Sequence, residues 1–265
     1  MSKIFRKILL VLVIVVAGAA LAIFYAGVQQ TMAQDWRTAS RESVGIAPDP
    51  AVTREAVAQV YAARAVSWRG VLGVHTWIAV KPTGAPAFTV YEVVGWRAMR
   101  GMSAVAISNR APDGRWFGAA PDILADIRGE GVDAMIEEID RAAKEYPYPN
   151  QYRVWPGPNS NTFTAFIARR VPAFKLDLPP TAIGKDFLPN GGIFAQPPGG
   201  GGLQVSLFGL LGFLVGPEEG LEINILGLTF GVDPMDLALK LPAVGRVGWP
   251  NASASANVSA NASGG

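Results

Sequence analysis

His75, in the stretch Gly73-Val-His-Thr-Trp-Ile-Ala-Val-Lys81, is the only imidazole in the chain, and there is no cysteine. A thiolate nucleophile and a Cys/His zinc site of the usual kind are therefore excluded. Any base that works near neutral pH through an imidazole must be His75. Ser160 is the second candidate, inside Trp155-Pro-Gly-Pro-Asn-Ser-Asn-Thr-Phe163. A hydroxyl at a helix start is aimed by a rigid turn, and the free N–H groups there can stabilise an oxyanion. Glu92 is the third: a hairpin centred near residues 83–84 places it about opposite His75, where a carboxylate could hold the imidazole in one tautomer.

Each residue also has a purely structural explanation. His75 fits a half-buried strand histidine bonded to a neighbour, Asn159 or Ser160 fits a helix cap, and Glu92 fits an exposed strand glutamate. Lys185, in Ile183-Gly-Lys-Asp186, could instead form a Ser–Lys pair, but no spacing brings it to Ser160. Gly184-Lys185 lacks the glycine spacing and the following Ser/Thr of a phosphate loop. Asp177, Asp186, Glu218, Glu219 and Asp233 show no metal-ligand spacing, and no motif asks for a cofactor. Trp68, Trp77, Trp96, Trp116 and Trp155 could line a groove or simply pack a core.

The elements that must position these residues follow from periodicity and breakers. Residues 56–63, 74–80 and 88–94 read as strands; the last two are joined by Lys81-Pro-Thr-Gly-Ala-Pro-Ala87 and form an antiparallel hairpin. Residues 131–146 carry apolar positions at helical spacing and stop before Pro147. A second helix starts within Asn159–Phe163 and runs to about Arg170: Pro156 and Pro158 forbid an earlier start, and Pro172 ends it. Leu203–Val215 and Leu221–Val232 are apolar runs divided by Gly216-Pro-Glu-Glu-Gly220, which reads as another hairpin. Their periodic glycines imply close backbone packing. Too short to span a bilayer, these runs are either buried strands or a surface that touches lipid.

Half of the residues are hydrophobic and 17% are charged, an apolar balance that signals a membrane segment. Ile8 to Val28 is an uncharged run of twenty-one residues, about 30 Å as a helix and enough to cross a bilayer. Lys3, Arg6 and Lys7 precede it, which orients the N-terminus to the cytoplasm and the body across the membrane. A cleaved signal peptide is the alternative, with Thr31-Met-Ala33 as its cleavage site. Removing the three N-terminal cations from the 23 leaves 20 against 21 anions, with no basic run, so nucleic acid is excluded as a partner. The chain divides into an anchor over 1–28, a tether over 29–45, one globular domain over 46–248 and a disordered tail over 249–265.

A strand bearing histidine, a paired strand, a helix and then a nucleophile-type residue at a helix start resembles circularly permuted papain-like hydrolases. The His-Thr-Trp-Ile strand and the Asn159-Ser-Asn-Thr-Phe163 helix start carry this resemblance, over about 55–170. It implies an α+β fold with a mainly antiparallel sheet and a catalytic His75 and Ser160, with serine standing where the family has cysteine. A serine hydroxyl is far less acidic than a thiol, so His75 would have to act as a true base. The wider sequence resembles an uncharacterised bacterial membrane-anchored family carrying HTWIAVK, YEVVGW, YRVWPGPNSNTF, LDLPPTAIGKD and GLTFGVDP-like segments. That likeness spans roughly 44–248 and implies an envelope location but no assigned activity; with the anchor and its flanking cations, the expectation is a single-pass bacterial inner-membrane protein with its body in the periplasm.

Two functions follow as expectations. One is a hydrolase or acyltransferase acting on an amide or ester, with Ser160 as nucleophile, His75 as base and Glu92 as orienter. The other is a non-catalytic envelope protein that binds peptidoglycan, lipid or a partner protein. The topology is directly testable: a periplasm-specific reporter fused after Gly248 should be active, and activity of a cytoplasm-only reporter there would refute the orientation.

Overall fold

The computed structural model describes residues 37–249. The expected anchor, the first part of the tether and the tail from 250 onward lie outside the described residues. Among the described residues, no helix is long and apolar enough to cross a membrane. The fold is α+β, with antiparallel sheets and few helices.

The first sheet has five strands, β1 (Val57–Arg64), β2 (Val74–Lys81), β3 (Thr89–Val93), β4 (Val105–Ser108) and β5 (Asp122–Arg128), in the order β4-β3-β2-β1-β5. Four helices accompany it: α1 (Arg69–Leu72), α2 (Gly95–Met99), α3 (Val132–Lys144) and α4 (Ser160–Arg170). β1 and β2 read as nearly continuous apolar runs because both faces are covered. Val60, Ile78, Val80 and Val93 pack in one core with residues of α3 and α4. Tyr61, Trp77, Ala79 and Val90 form a second core on the opposite face. Every residue of α4 from Ser160 to Ala168 is buried, which explains why this helix lacks a polar stripe.

The β2–β3 register pairs Ile78 with Tyr91 and Val80 with Thr89. Continued, it sets Glu92 beside Trp77 rather than opposite His75, a two-residue correction to the expected pairing. The connecting loop is centred one residue later than expected. A shift of two preserves the face, because side chains alternate with period two, so Glu92 and His75 remain diagonal neighbours on one side.

The expected hairpin of two long strands is in fact part of a seven-stranded meander. β6 (Phe194–Ala195), β7 (Leu203–Leu207), β8 (Leu211–Gly216), β9 (Gly220–Ile225), β10 (Leu228–Asp233), β11 (Ala238–Leu241) and β12 (Gly245–Val247) lie side by side in sequence order. Each apolar run splits at a tight turn, one at Phe208-Gly209 and one at Leu226-Gly227, where both residues have positive φ. Glycine in the strands permits close contact: a Cβ on Gly231 would fall 2.7 Å from the Leu221 carbonyl oxygen.

This sheet is inverted relative to the usual pattern. Its inner face carries Gln204, Ser206, Glu222, Asn224, Thr229 and Lys240, all buried. Its outer face is apolar and exposed. Leu203, Val215, Leu221, Val232, Leu239 and Val247 form one cross-strand row. Val205, Phe213, Ile223 and Phe230 form the next.

The inner face is tied to residues 177–186, the stretch ahead of the meander, by ion pairs and hydrogen bonds. Glu222 bonds Lys185 and, at 2.9 Å, Lys240, which also meets Asp177. Asp186 accepts from Gln204 Nε2 and Asn224 Nδ2, each at 2.7 Å. Burial alone would raise the Glu222 pKa, but the two ammonium groups outweigh it and hold the carboxyl below its ordinary value. The same attraction raises Lys185 despite its burial. Glu222 and Lys185 are thus held as an ion pair, while burial raises the carboxyls of Asp177 and Asp186; the worth of the cluster depends on its remaining complete. Replacing Glu222 by Leu leaves both lysines buried without their shared acceptor. Denaturant unfolding should show a loss of about 3–5 kcal/mol, and a variant as stable as the parent would contradict this account.

Candidate functional site

His75 sits near the start of β2 with its ring buried. Its Nε2 lies 2.9 Å from Glu92 Oε2. Glu92 is clamped from its other side by Arg110, whose Nε meets Oε1 at 2.9 Å and whose Nη2 meets Oε2 at 3.3 Å. The Arg110 guanidinium in turn covers the Trp77 ring, 4.6 Å from its centroid. Trp116 stacks on the imidazole at 3.5 Å between centroids and 8° between planes. The ring can therefore neither flip nor tilt without displacing an indole.

The charges of this relay follow from burial and pairing. Burial would raise Glu92, but the hydrogen bond from His75 and the Arg110 guanidinium bring its carboxyl down to about 2. Burial also pushes His75 below its ordinary 6.5, outweighing the pull of Glu92. At neutral pH the pair is a carboxylate and a neutral imidazole. A carboxylate only accepts, so Nε2 carries the proton and donates it, and Nδ1 keeps the free lone pair. The expected orienting role of Glu92 thus has its geometry.

Ser160 opens α4, but the cap is its neighbour. Asn159 Oδ1 accepts from the N–H groups of Asn161 and Thr162, and Thr162 Oγ1 accepts from the Asn159 N–H, a complete capping box. Two N–H groups of the first turn are thereby consumed, which narrows the expected oxyanion donors to the N–H of Ser160 itself. The start of the helix is pinned further: Asn161 Nδ2 donates to the carbonyls of Val74 and Ile183, and Thr76 Oγ1 donates to Asn161 Oδ1. The phenol of Tyr152 is pushed above its ordinary 10 by burial, against a smaller opposing pull from the Ser160 side chain.

His75 and Ser160 line the same cleft, of about 1060 Å³. Strand alternation turns the His75 ring away from the face that carries α4, since Thr76 is the residue that meets the helix. The cleft joins the two sides round the end of the sheet, past Trp96, Gly95 and Tyr152. Gly95 lets Tyr152 pack closely at this point: a Cβ there would fall 2.7 Å from the Tyr152 ring. Trp68, Trp96, Trp116 and Trp155 all line the cleft, whereas Trp77 stacks on Tyr61 in the second core. The far wall is supplied by Ile183, Leu226 and Leu228.

Lys185 is not a member of this site, because its ammonium is committed to Glu222 and the Leu178 carbonyl. No cluster of acidic or histidine side chains suited to a metal occurs among the described residues. Arg110 was not anticipated, and Trp116 was expected only as a possible groove residue, not as a stack on His75: both stand in loops, and no periodicity points a loop residue at a strand. Tyr152 was equally silent, although its position shortly before the capping motif was visible. The expected tether is docked over its second half. Ser43 Oγ donates to Asp113 Oδ1 at 2.6 Å, and Asp113 Oδ2 accepts from the N–H of Ile46 at 2.7 Å.

The chain belongs to the family described as "Protein of unknown function (DUF3750)", whose model matches residues 55–187, just over half of the 265 residues. The matched segment contains His75, Glu92, Arg110, Tyr152 and Ser160 and ends just before the meander. No curated protein and no solved structure matches the chain.

A single histidine makes the relay measurable. Proton NMR titration of the untagged protein should show one imidazole with a midpoint below 6.5. Because the folded value is depressed, protonating His75 costs stability as pH falls below 6.5, where the unfolded chain takes up the proton more readily. Glu92→Gln should lower the midpoint further, and Arg110→Met should raise it. A midpoint at or above the ordinary value in the parent would show that burial does not dominate.

Proposed function

We propose that this family member is a membrane-anchored envelope protein with a Ser/His hydrolase or acyltransferase site for an amide or ester. The observation that carries the reading is the Arg110–Glu92–His75 relay. A buried carboxylate fixes the tautomer of a neutral imidazole in a cleft whose wall includes a serine at a helix start. Buried charge is costly to maintain, and this arrangement presents a lone pair on Nδ1 for proton transfer. The strand–helix order also supports a permuted papain-like core, in which serine replaces cysteine.

In this mechanism the Ser160 hydroxyl attacks the substrate carbonyl and its proton passes to His75 Nδ1 through water in the shared cleft, since the imidazole is turned to the other side of the sheet. The Ser160 N–H, reinforced by the helix terminus, faces the developing oxyanion. His75 then returns the proton to the departing amine or alcohol. Tyr152 lines the same cleft, and its raised pKa keeps the phenol protonated. The apolar segment over 8–28, preceded by three cations, supports the anchor and a periplasmic body.

A second reading has its own observation. Because the His75 ring points to the face away from α4, the aromatic cleft could bind an apolar ligand without reacting with it. A serine-directed fluorophosphonate probe separates the two readings. The parent should be labelled, and Ser160→Ala or His75→Ala should each cut the labelling rate by at least about a hundredfold while the fold is retained by circular dichroism. Labelling should persist to a lower pH than an imidazole of ordinary pKa would allow, since burial holds His75 below 6.5. Absence of labelling in the parent, or labelling that survives both changes, refutes the hydrolase and leaves the binding protein.

A further inference from the structure

We infer that the outer face of the C-terminal meander is a bilayer-docking surface, with lipid hydrocarbon as its occupant. It rests on the anchor in the functional reading above, and not on the chemistry of Ser160.

The face has the composition of a lipid contact rather than of a solvated sheet. The row from Leu203 to Val247 and the row from Val205 to Phe230 contain no charged or polar side chain. Ile223, Leu239 and Phe213 are 46%, 51% and 42% exposed. Monomeric soluble proteins rarely leave so broad a contiguous apolar patch in water. The ladders of the interior strands satisfy the backbone within the sheet, as contact with hydrocarbon requires. The polar side chains that alternate with these rows point inward to the ion cluster, so the sheet is apolar outward by pattern and not by accident of one residue.

The turns give an independent sign. Phe208 and Leu226 occupy left-handed backbone at φ 56° and 54° and are each 60% exposed. Such positions favour Gly, Asn or Asp, and β-turns of this kind normally present polar tips. A large apolar residue there accepts backbone strain to display hydrocarbon at the end of the sheet. Trp155 flanks one of these tips, its indole N–H donating to the Leu226 carbonyl at 2.8 Å. An exposed indole beside an apolar tip suits the boundary between headgroups and acyl chains.

The length of chain before the described residues names the occupant. Val28, the last residue of the apolar segment, is nine positions before Arg37, the first described residue. Nine extended residues reach about 30 Å at most, so a spanning segment holds the domain within its own diameter of the bilayer. Where the chain enters, Arg41 covers the Phe117 ring at 4.1 Å. Phe117 is one wall of the cleft, and Leu226 and Leu228 are another. The entry point and the apolar end of the meander thus share one cleft, whose mouth would open at the membrane surface.

The absence of native cysteine allows a direct test on the full chain reconstituted in phosphatidylcholine vesicles. Nitroxide labels are placed on Ile223→Cys and Leu226→Cys, with Glu137→Cys on the exposed side of α3 as the aqueous control. Flotation with the vesicles reads the anchor; collision with oxygen against a water-soluble nickel chelate reads the face. The expected result is flotation of all variants, with an oxygen-to-nickel ratio at 223 and 226 about fivefold or more above the control, as for side chains seated below the headgroups. Flotation with a nickel-accessible label at 223 overturns the docking face and leaves the anchor standing. Labels shielded from both agents also overturn it, since protein then covers the face; disulfide cross-linking of Ile223→Cys would identify a second copy as the cover. Failure to float overturns both the anchor and the face.

Discussion

The start of α4 is the constraint on which the rest of the structure depends. Asn159 and Asn161 together engage the carbonyls of Val154, Val74 and Ile183 as well as two N–H groups of the helix itself. These bonds fasten three separate stretches of chain to one helical turn: the proline-rich approach, the start of β2, and the strip that leads into the meander. A helix buried along most of its length cannot be positioned by an amphipathic stripe. It is located by hydrogen bonds whose loss would leave buried amides unpaired, and such penalties are larger than the net gain of each bond. The cleft inherits its shape from that turn, because one wall belongs to each fastened stretch.

The two sheets solve opposite problems around this helix. The first buries apolar side chains on both faces and isolates the Glu92 carboxylate among them, which makes its bond to Arg110 strong and its absence costly. The second buries polar groups and turns its apolar rows outward. Glu219 shows how little slack the inner layer holds: it accepts from the Gly199 N–H at 2.6 Å, its second oxygen lacks a partner, and burial pushes its pKa up to about 7. The buried cluster fixes the orientation of the sheet, since a one-residue slip would bring Glu222 and Lys240 to the outside.

Much of this was legible in the sequence where the signal is local. The helix at 131–146, the start of α4 to within a residue, and the hairpin of β2 and β3 all follow from periodicity and prolines. The contact between Glu92 and His75 survived a register error because an even shift keeps the face. What the sequence concealed was long-range. Arg110 and Trp116 reach the site from loops whose conformation depends on Asp113 and the docked residues 40–47. The meander was mistaken for a pair of long strands because its turns at Phe208 and Leu226 carry apolar residues where turn chemistry calls for polar ones. Gly209 and Gly227 do mark the reversals, but in the sequence they read as signs of close backbone packing.

The ion cluster also couples two parts of the chain that the family boundary separates. Asp177, Lys185 and Asp186 fall inside the matched segment, while Gln204, Glu222, Asn224 and Lys240 fall after it. Neither half can drift alone: losing an acid on one side strands a base on the other. Exchanging the C-terminal extension without matching changes at positions 177, 185 and 186 would leave buried charges without partners. The meander is therefore energetically part of the unit that the matched segment begins, rather than an appendage to it.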